Sequence, residues 1–252
     1  MNRIIINADD AGLHPEIDKG IQRCIDAGVV NSVSVITNSP TTNFDLIKDW
    51  NNKVLTGVHL SWLGVPWITK PYFFFSWKEF LSAFAFRGKK FRAEVLDEGR
   101  EQIKKLRACG ISVSHLDSHQ HVHHFPVLWD YCLQLQREFD IPRIRCAKAK
   151  NFSLAKASLS GIALQLMASS KNSDGTMPCA ALRYAGNYSA EQLVGEIKAY
   201  AGHDVEFVVH PGVNNTELNK HFAHWHFDWE KETKALLNLD MKTLASENGF
   251  VF

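Results

Sequence analysis

A chain of 252 residues with 45% apolar and 22% charged residues has ordinary globular usage, which excludes a disordered or fibrous chain and suits one α/β domain spanning residues 1–252. Lys and Arg total 28 against 27 for Asp and Glu, a formal net charge of +1, so neither nucleic acid nor a membrane is an expected partner. No apolar stretch approaches the roughly 20 residues of a membrane helix or forms a signal-peptide core, and five scattered cysteines without a CxxC pair point to reduced thiols in a cytoplasmic protein.

The β-branched run at 3–8 predicts a first strand, and Ile17, Ile21, Cys24 and Ile25 recur at helical spacing between Pro15 and Gly28. A strand at 33–37, a helix over 42–50 and a strand at 54–60 follow. Phe91, Val95, Leu96, Ile103 and Leu106 mark one face of a long helix ending near Gly110, and a strand is expected at 112–117. Beyond it the spacing predicts a helix over 126–139, a strand at 143–146, a helix over 154–167 and a strand at 180–184. A helix over 191–200, a strand at 206–210 and a last helix over 228–237 complete the pattern. About seven strand–helix alternations favour a parallel sheet, either open or closed into a barrel. Periodicity is silent over 62–76 and 148–178, the lengths expected of functional loops.

Four strand ends carry the chemistry. Asn7-Ala8-Asp9-Asp10 places two carboxylates where the first strand stops, the rim on which parallel α/β folds build their sites; adjacent side chains at a strand end diverge, so one is free to bind a metal while the other works as a base. Gly57-Val58-His59-Leu60 brings an imidazole to the same rim. His115-Leu116-Asp117-Ser118-His119-Gln120-His121-Val122-His123-His124 is the densest signal: if extended, His119, His121 and His123 share one face and one or two of them converge on a cation. Pro211 and Gly212 hold His210 at the end of a late strand. Each station alone has a bland reading as a cap, a turn or a structural histidine. Their common position makes a shared site the more economical one, with the parts for metal-assisted hydrolysis. The donors suit Zn²⁺ and leave Mg²⁺ or Mn²⁺ open, and Asp117, His119 and His121 stand as second-shell or substrate-binding candidates, Asp117 as an orienting partner for a ligating histidine.

No dinucleotide fingerprint, phosphate loop or nucleophile elbow is present, so nucleotide binding and serine hydrolysis lack their usual signatures. The aromatic residues from Trp62 to Trp77 read mainly as core or lid packing, with a sugar platform as the alternative.

Taken in order, these segments resemble the YdjC-like carbohydrate deacetylases, a family that includes chitooligosaccharide deacetylase. The resemblance implies a distorted, TIM-barrel-like β/α barrel that uses a divalent metal, commonly Mg²⁺, to deacetylate N-acetylglucosamine units in a small sugar. Carried over by position, it implies Asp10, His59 and His123 as metal ligands, Asp9 as base and His210 as acid. The chain departs from the family pattern at Ala11, where an aromatic residue is usual, and echoes a basic-acidic signature only faintly at Lys231-Glu232. The rival readings are an amidohydrolase or phosphoesterase barrel and a non-catalytic sugar-binding barrel. Assembly as a homodimer is left open.

Overall fold

β1 (Asn2–Ala11) is buried along nearly its whole length: the apolar run Ile4-Ile5-Ile6 suits a strand covered on both faces, and the buried Asn7, Asp9 and Asp10 that follow it are polar groups that need partners. In the computed structural model, which describes residues 1–150, 159–171, 175–180 and 184–252, it lies at the centre of a parallel sheet. The other strands are β2 (Ser32–Val35), β3 (Leu55–Leu60), β4 (Leu116–Ser118), β5 (Cys179–Ala180), β6 (Val205–Val209) and β7 (Phe250–Val251). Their order is β4-β3-β2-β1-β6-β5, with β7 pairing the start of β1.

The helices are α1 (Pro15–Asp26), α2 (Phe44–Asn51), α3 (Trp77–Phe86), α4 (Gly88–Ala108), α5 (Pro126–Glu138), α6 (Leu159–Ser169), α7 (Ala190–Ala199), α8 (Thr216–His221), α9 (Trp229–Leu237) and α10 (Met241–Glu247). Local chemistry starts them where expected: Pro15 opens α1, the Asn43 side chain accepts from Leu46 N–H at α2, and Ser189 with Gln192 forms a capping box at α7. No helix among the described residues is long and apolar enough to cross a membrane.

Two sequence expectations change. The sheet curls without closing: its edges, β4 and β5, do not pair among the described residues. The segment expected as a strand at 143–146 makes one parallel bridge, Leu116 to Ile144. Its Arg143 and Arg145 side chains bond Glu206 of β6, so side-chain ion pairs span the opening where a closed barrel has a backbone ladder. A helix, α3, also follows the silent stretch 62–76, over residues for which no element was expected. The expected helix at 154–158 and strand positions 181–183 lie outside the described residues.

Close packing fixes the rim. A Cβ at Gly20 of α1 would lie 2.3 Å from Gly212 Cα, so the turn after His210 sits directly on that helix. A Cβ at Gly57 would lie 2.3 Å from the His115 ring, which therefore packs against the β3 backbone two residues before His59.

Candidate active site

The register of β1 against β2 slips between Ala8 and Ala11, and Asp10 takes a left-handed φ of 64°. Aspartate tolerates that region better than most residues. Strand alternation would have sent neighbouring side chains to opposite faces; the irregularity instead brings both carboxylates to His59. Its Nε2 lies 3.3 Å from Asp10 Oδ1 and 3.9 Å from Asp9 Oδ2. His119 Nδ1 is 2.8 Å from the same Asp10 oxygen. Asp10, His59 and His119, all buried, each offer a ligand atom within 4.8 Å of the others; Asp9, His59 and Asp117 form an overlapping group.

Behind this cluster is a buried polar frame. Asp117 Oδ1 is 2.7 Å from His59 Nδ1 and accepts its proton. Arg145 donates to both oxygens of Asp9 at 2.7 Å, pairs Asp117 Oδ2 at 2.7 Å and donates to Glu206 Oε1 at 2.7 Å. Asn7 donates to Asp9 Oδ1 at 2.7 Å, and the Ser34 hydroxyl to Asp117 Oδ2 at 2.7 Å. One guanidinium thus ties strands β1, β4 and β6 together, the kind of bidentate pairing that makes arginine suited to buried carboxylates.

Electrostatics follow burial and these partners. Burial disfavours the His59 imidazolium, but Asp117 and Asp9 outweigh it and raise its pKa to about 10. For Asp10, burial pushes the carboxyl up, while His119 and His59 more than reverse that and hold it well below the usual range. Burial lowers the His210 imidazole against the pull of Asp10 and Asp9.

His210 follows β6 and lines the same cavity of about 700 Å³ as Asp9, Asp10, His59, His119 and His121. Its backbone N–H donates to Glu232 Oε1 at 2.7 Å, so α9 anchors the turn. Among the described residues its Nδ1 has no partner, like His119 Nε2 and His121 Nδ1.

His123 is elsewhere. Its Nδ1 is 2.6 Å from Ser118 Oγ and its Nε2 3.0 Å from the Arg145 carbonyl oxygen, so both nitrogens are engaged outside the Asp10–His59 cluster. The family resemblance implied it beside Asp10 and His59, and extended alternation would have put it on one face with His119 and His121. In the structure residues 119–124 form a short 3₁₀ segment in which Gln120 and His121 have φ of 55° and 57°, and that twist puts His119 at the cluster in its place. Sequence reasoning also left out Arg145, whose only signal was two arginines alternating in a strand-like run, and met Glu232 only as a faint echo of a family signature, without a role. Of the aromatic segment, Trp62, Trp67 and Phe74 are core, while Trp77 lines the cavity.

The sequence matches the YdjC-like protein family over residues 3–247. The chain belongs to that family. A carbohydrate deacetylase of Halalkalibacterium halodurans is 32% identical over 148 residues, covering 56% of this chain and 62% of the relative. A carbohydrate deacetylase of Thermoanaerobacter pseudethanolicus is 24% identical over 258 residues, covering 100% of this chain and 97% of the relative. The first similarity thus spans less than two-thirds of its relative. An Enterococcus faecalis crystal structure, described as that of a candidate cellobiose-phosphate cleavage protein, superposes with a TM-score of 0.73 at 22% identity, covering 100% of this chain and 97% of that one. At that identity it supports the fold of this YdjC-like chain alone.

Proposed function

We propose that this chain is a metal-dependent hydrolase that removes the N-acetyl group of a small carbohydrate and releases acetate. The observation that carries the reading is the convergence of Asp10, His59 and His119 on one buried point beside Asp9, in a cavity that His210 also lines. The buried His119 Nε2, without a partner, and a donor set of two imidazoles and a carboxylate fit a divalent cation. Mg²⁺ is the ion the family resemblance implies, and Zn²⁺ or Mn²⁺ suits the same donors. Asp10, His59 and His119 would hold it, with His119 taking the place first expected of His123. A cation bound there supplies Lewis-acid polarisation of the amide and acidifies the attacking water.

The remaining chemistry falls to side chains of the cavity. Asp9 accepts the proton of the water whose oxygen bonds the acetyl carbon, and Arg145 and Asn7 fix the carboxylate's orientation. The C–N bond breaks and acetate leaves with the water's oxygen; the departing amine gains its proton through His210, and the proton that Asp9 took from the water replaces it, so both side chains return to their starting forms. Asp117 acts through His59, holding its ring by Nδ1 so that Nε2 faces Asp10. His121 and Gln120 line the cavity as candidate contacts to sugar hydroxyls.

Acetate release from N-acetylated mono- and disaccharides, measured after chelation and after readdition of single divalent ions, tests the reading. Loss on chelation and recovery with one ion is expected. Acetate release that survives complete chelation contradicts metal dependence, and no release from any loaded form contradicts the deacetylase assignment.

A further inference from the structure

The cavity joins unlike surfaces. Trp225 and Phe227 pack against the imidazoles of the proposed reaction, with ring centroids 5.3 Å from His119 and 5.0 Å from His210, while α6 contributes the aliphatic lining of Ala163, Leu164 and Met167. Aromatic faces alone would suit the C–H face of a sugar ring, but aliphatic side chains are poor company for a second pyranose, whose hydroxyls would lose water without finding partners. Among the described lining residues, only Gln120 and His121 add hydrogen-bonding polar side chains beyond the reactive group, apart from the tryptophan indoles. One sugar ring is provided for; the rest of the volume is apolar.

Apolar side chains also reach the surface. Leu166 of α6 is 71% exposed, and Phe75, 62% exposed, lies tilted with its ring 5.7 Å from that of His224, itself 5.5 Å from Trp225. Large apolar side chains left in water beside a cavity mark a surface that meets something apolar. We infer that the substrate carries its N-acetylated sugar on a hydrocarbon chain, which lies along Ala163, Leu164 and Met167 of α6 while the sugar packs on Trp225 and Phe227 and its acetamide faces Asp9, His59 and His210. The inference rests on the deacetylase reading for the position of the sugar, and on the cavity's own lining for the chain.

Such an amphiphile arrives either as a free glycoside or from a bilayer. The small net charge of the whole chain conceals a local run of basic residues, Lys78, Arg87, Lys89, Lys90 and Arg92, among the exposed Phe73, Phe75 and Phe86, with Glu94 and Glu98 bonded to Tyr72 and to Ile68 and Thr69 beside them. Exposed aromatics within a basic stretch are the chemistry of an anionic lipid surface.

Calorimetric binding of methyl and octyl 2-acetamido-2-deoxy-glucopyranosides to the metal-loaded protein, below the micellar concentration of the octyl compound, tests the inference without requiring turnover. Each methylene that becomes buried strengthens binding roughly fourfold, so the octyl glycoside should bind at least about tenfold more tightly, with the ratio collapsing in Leu164→Gln and in Met167→Gln. Equal affinities, or a ratio that neither substitution alters, would overturn it. Acetate assayed in the same samples separates the two claims: selective octyl binding without acetate contradicts the deacetylase reading and leaves the chain's place in the cavity standing. Sedimentation with phosphatidylcholine vesicles, with and without phosphatidylglycerol, distinguishes the sources. Anionic-vesicle binding weakened by Phe75→Ser and Lys89→Glu assigns the substrate to a bilayer lipid, and its absence assigns it to a free amphiphile.

Discussion

His123 and His124 have both ring nitrogens occupied, by Ser118 and the Arg145 carbonyl in one case and by the His121 carbonyl and Ala147 N–H in the other. His115 is held likewise between the Ser114 and Ser34 hydroxyls. Within the same ten residues, His119 and His121 each keep a buried nitrogen without a partner, as does His210 across the cavity. All six are aromatic, titratable and largely hidden from water; what separates them is whether a nitrogen remains open to a ligand. A histidine-rich segment therefore divides into frame and reactive surface by hydrogen bonding, and composition does not reveal the division.

Substitutions on the two sides should fail differently. On the open side, His119→Ala should lower kcat/KM by about 10³-fold, the scale of several kcal/mol that a metal contributes to hydrolysis; an effect below tenfold would move the centre away from Asp10 and His59. On the frame side, Arg145→Met strands Asp9, Asp117 and Glu206 around a missing cation, and urea denaturation should show a loss of about 3–5 kcal/mol. A stability change under 1 kcal/mol would mean that the three carboxylates do not depend on Arg145.

Asp9 belongs to both sides, since Arg145 grips it while it lines the cavity. Asp9→Asn keeps the shape and removes the base, so turnover should fall by about 10²-fold or more with metal content intact. If turnover persists, the water's proton goes elsewhere.

The smallest effect concerns Asp18, whose carboxyl burial raises to about 7 despite a bond from Gly12 N–H. The unfolded chain releases that proton near pH 4, whereas the folded chain keeps it to about 7. The folded form therefore binds more protons across that window, and its stability falls as pH rises from 4 to 7. Asp18→Asn should remove a part of that decline on the order of 2 kcal/mol, read from denaturation midpoints at several pH values; an unaltered slope would show that Asp18 does not contribute to it.

Much of the scaffold was legible because β1, β3 and β6 are apolar runs that end on Asp9, His59 and His210, and strand ends are where such folds gather function. The choice of His119 over His123 was not legible, since it depends on left-handed backbone at Gln120 and His121, which neither residue type announces. Arg145 escaped for another reason: its meaning lies in carboxylates up to 136 positions away, brought together only by the curl of the sheet. The alternation of strands and helices left an open and a closed sheet equally available, because the choice depends on Arg143 and Arg145 reaching Glu206 from far along the chain. α3 was obscured because its outer face mixes Lys78, Glu79 and Ser82 with Ala85 and the exposed Phe86, which blurs the helical period.

Metal content divides the two histidine classes most directly. Folded wild-type protein, His119→Ala and His123→Gln should be stripped, reloaded with one divalent ion and analysed by elemental mass spectrometry. One bound equivalent in the wild type and in His123→Gln, with none in His119→Ala, is the predicted result; retention by His119→Ala together with loss from a folded His123→Gln would contradict the assignment of the centre.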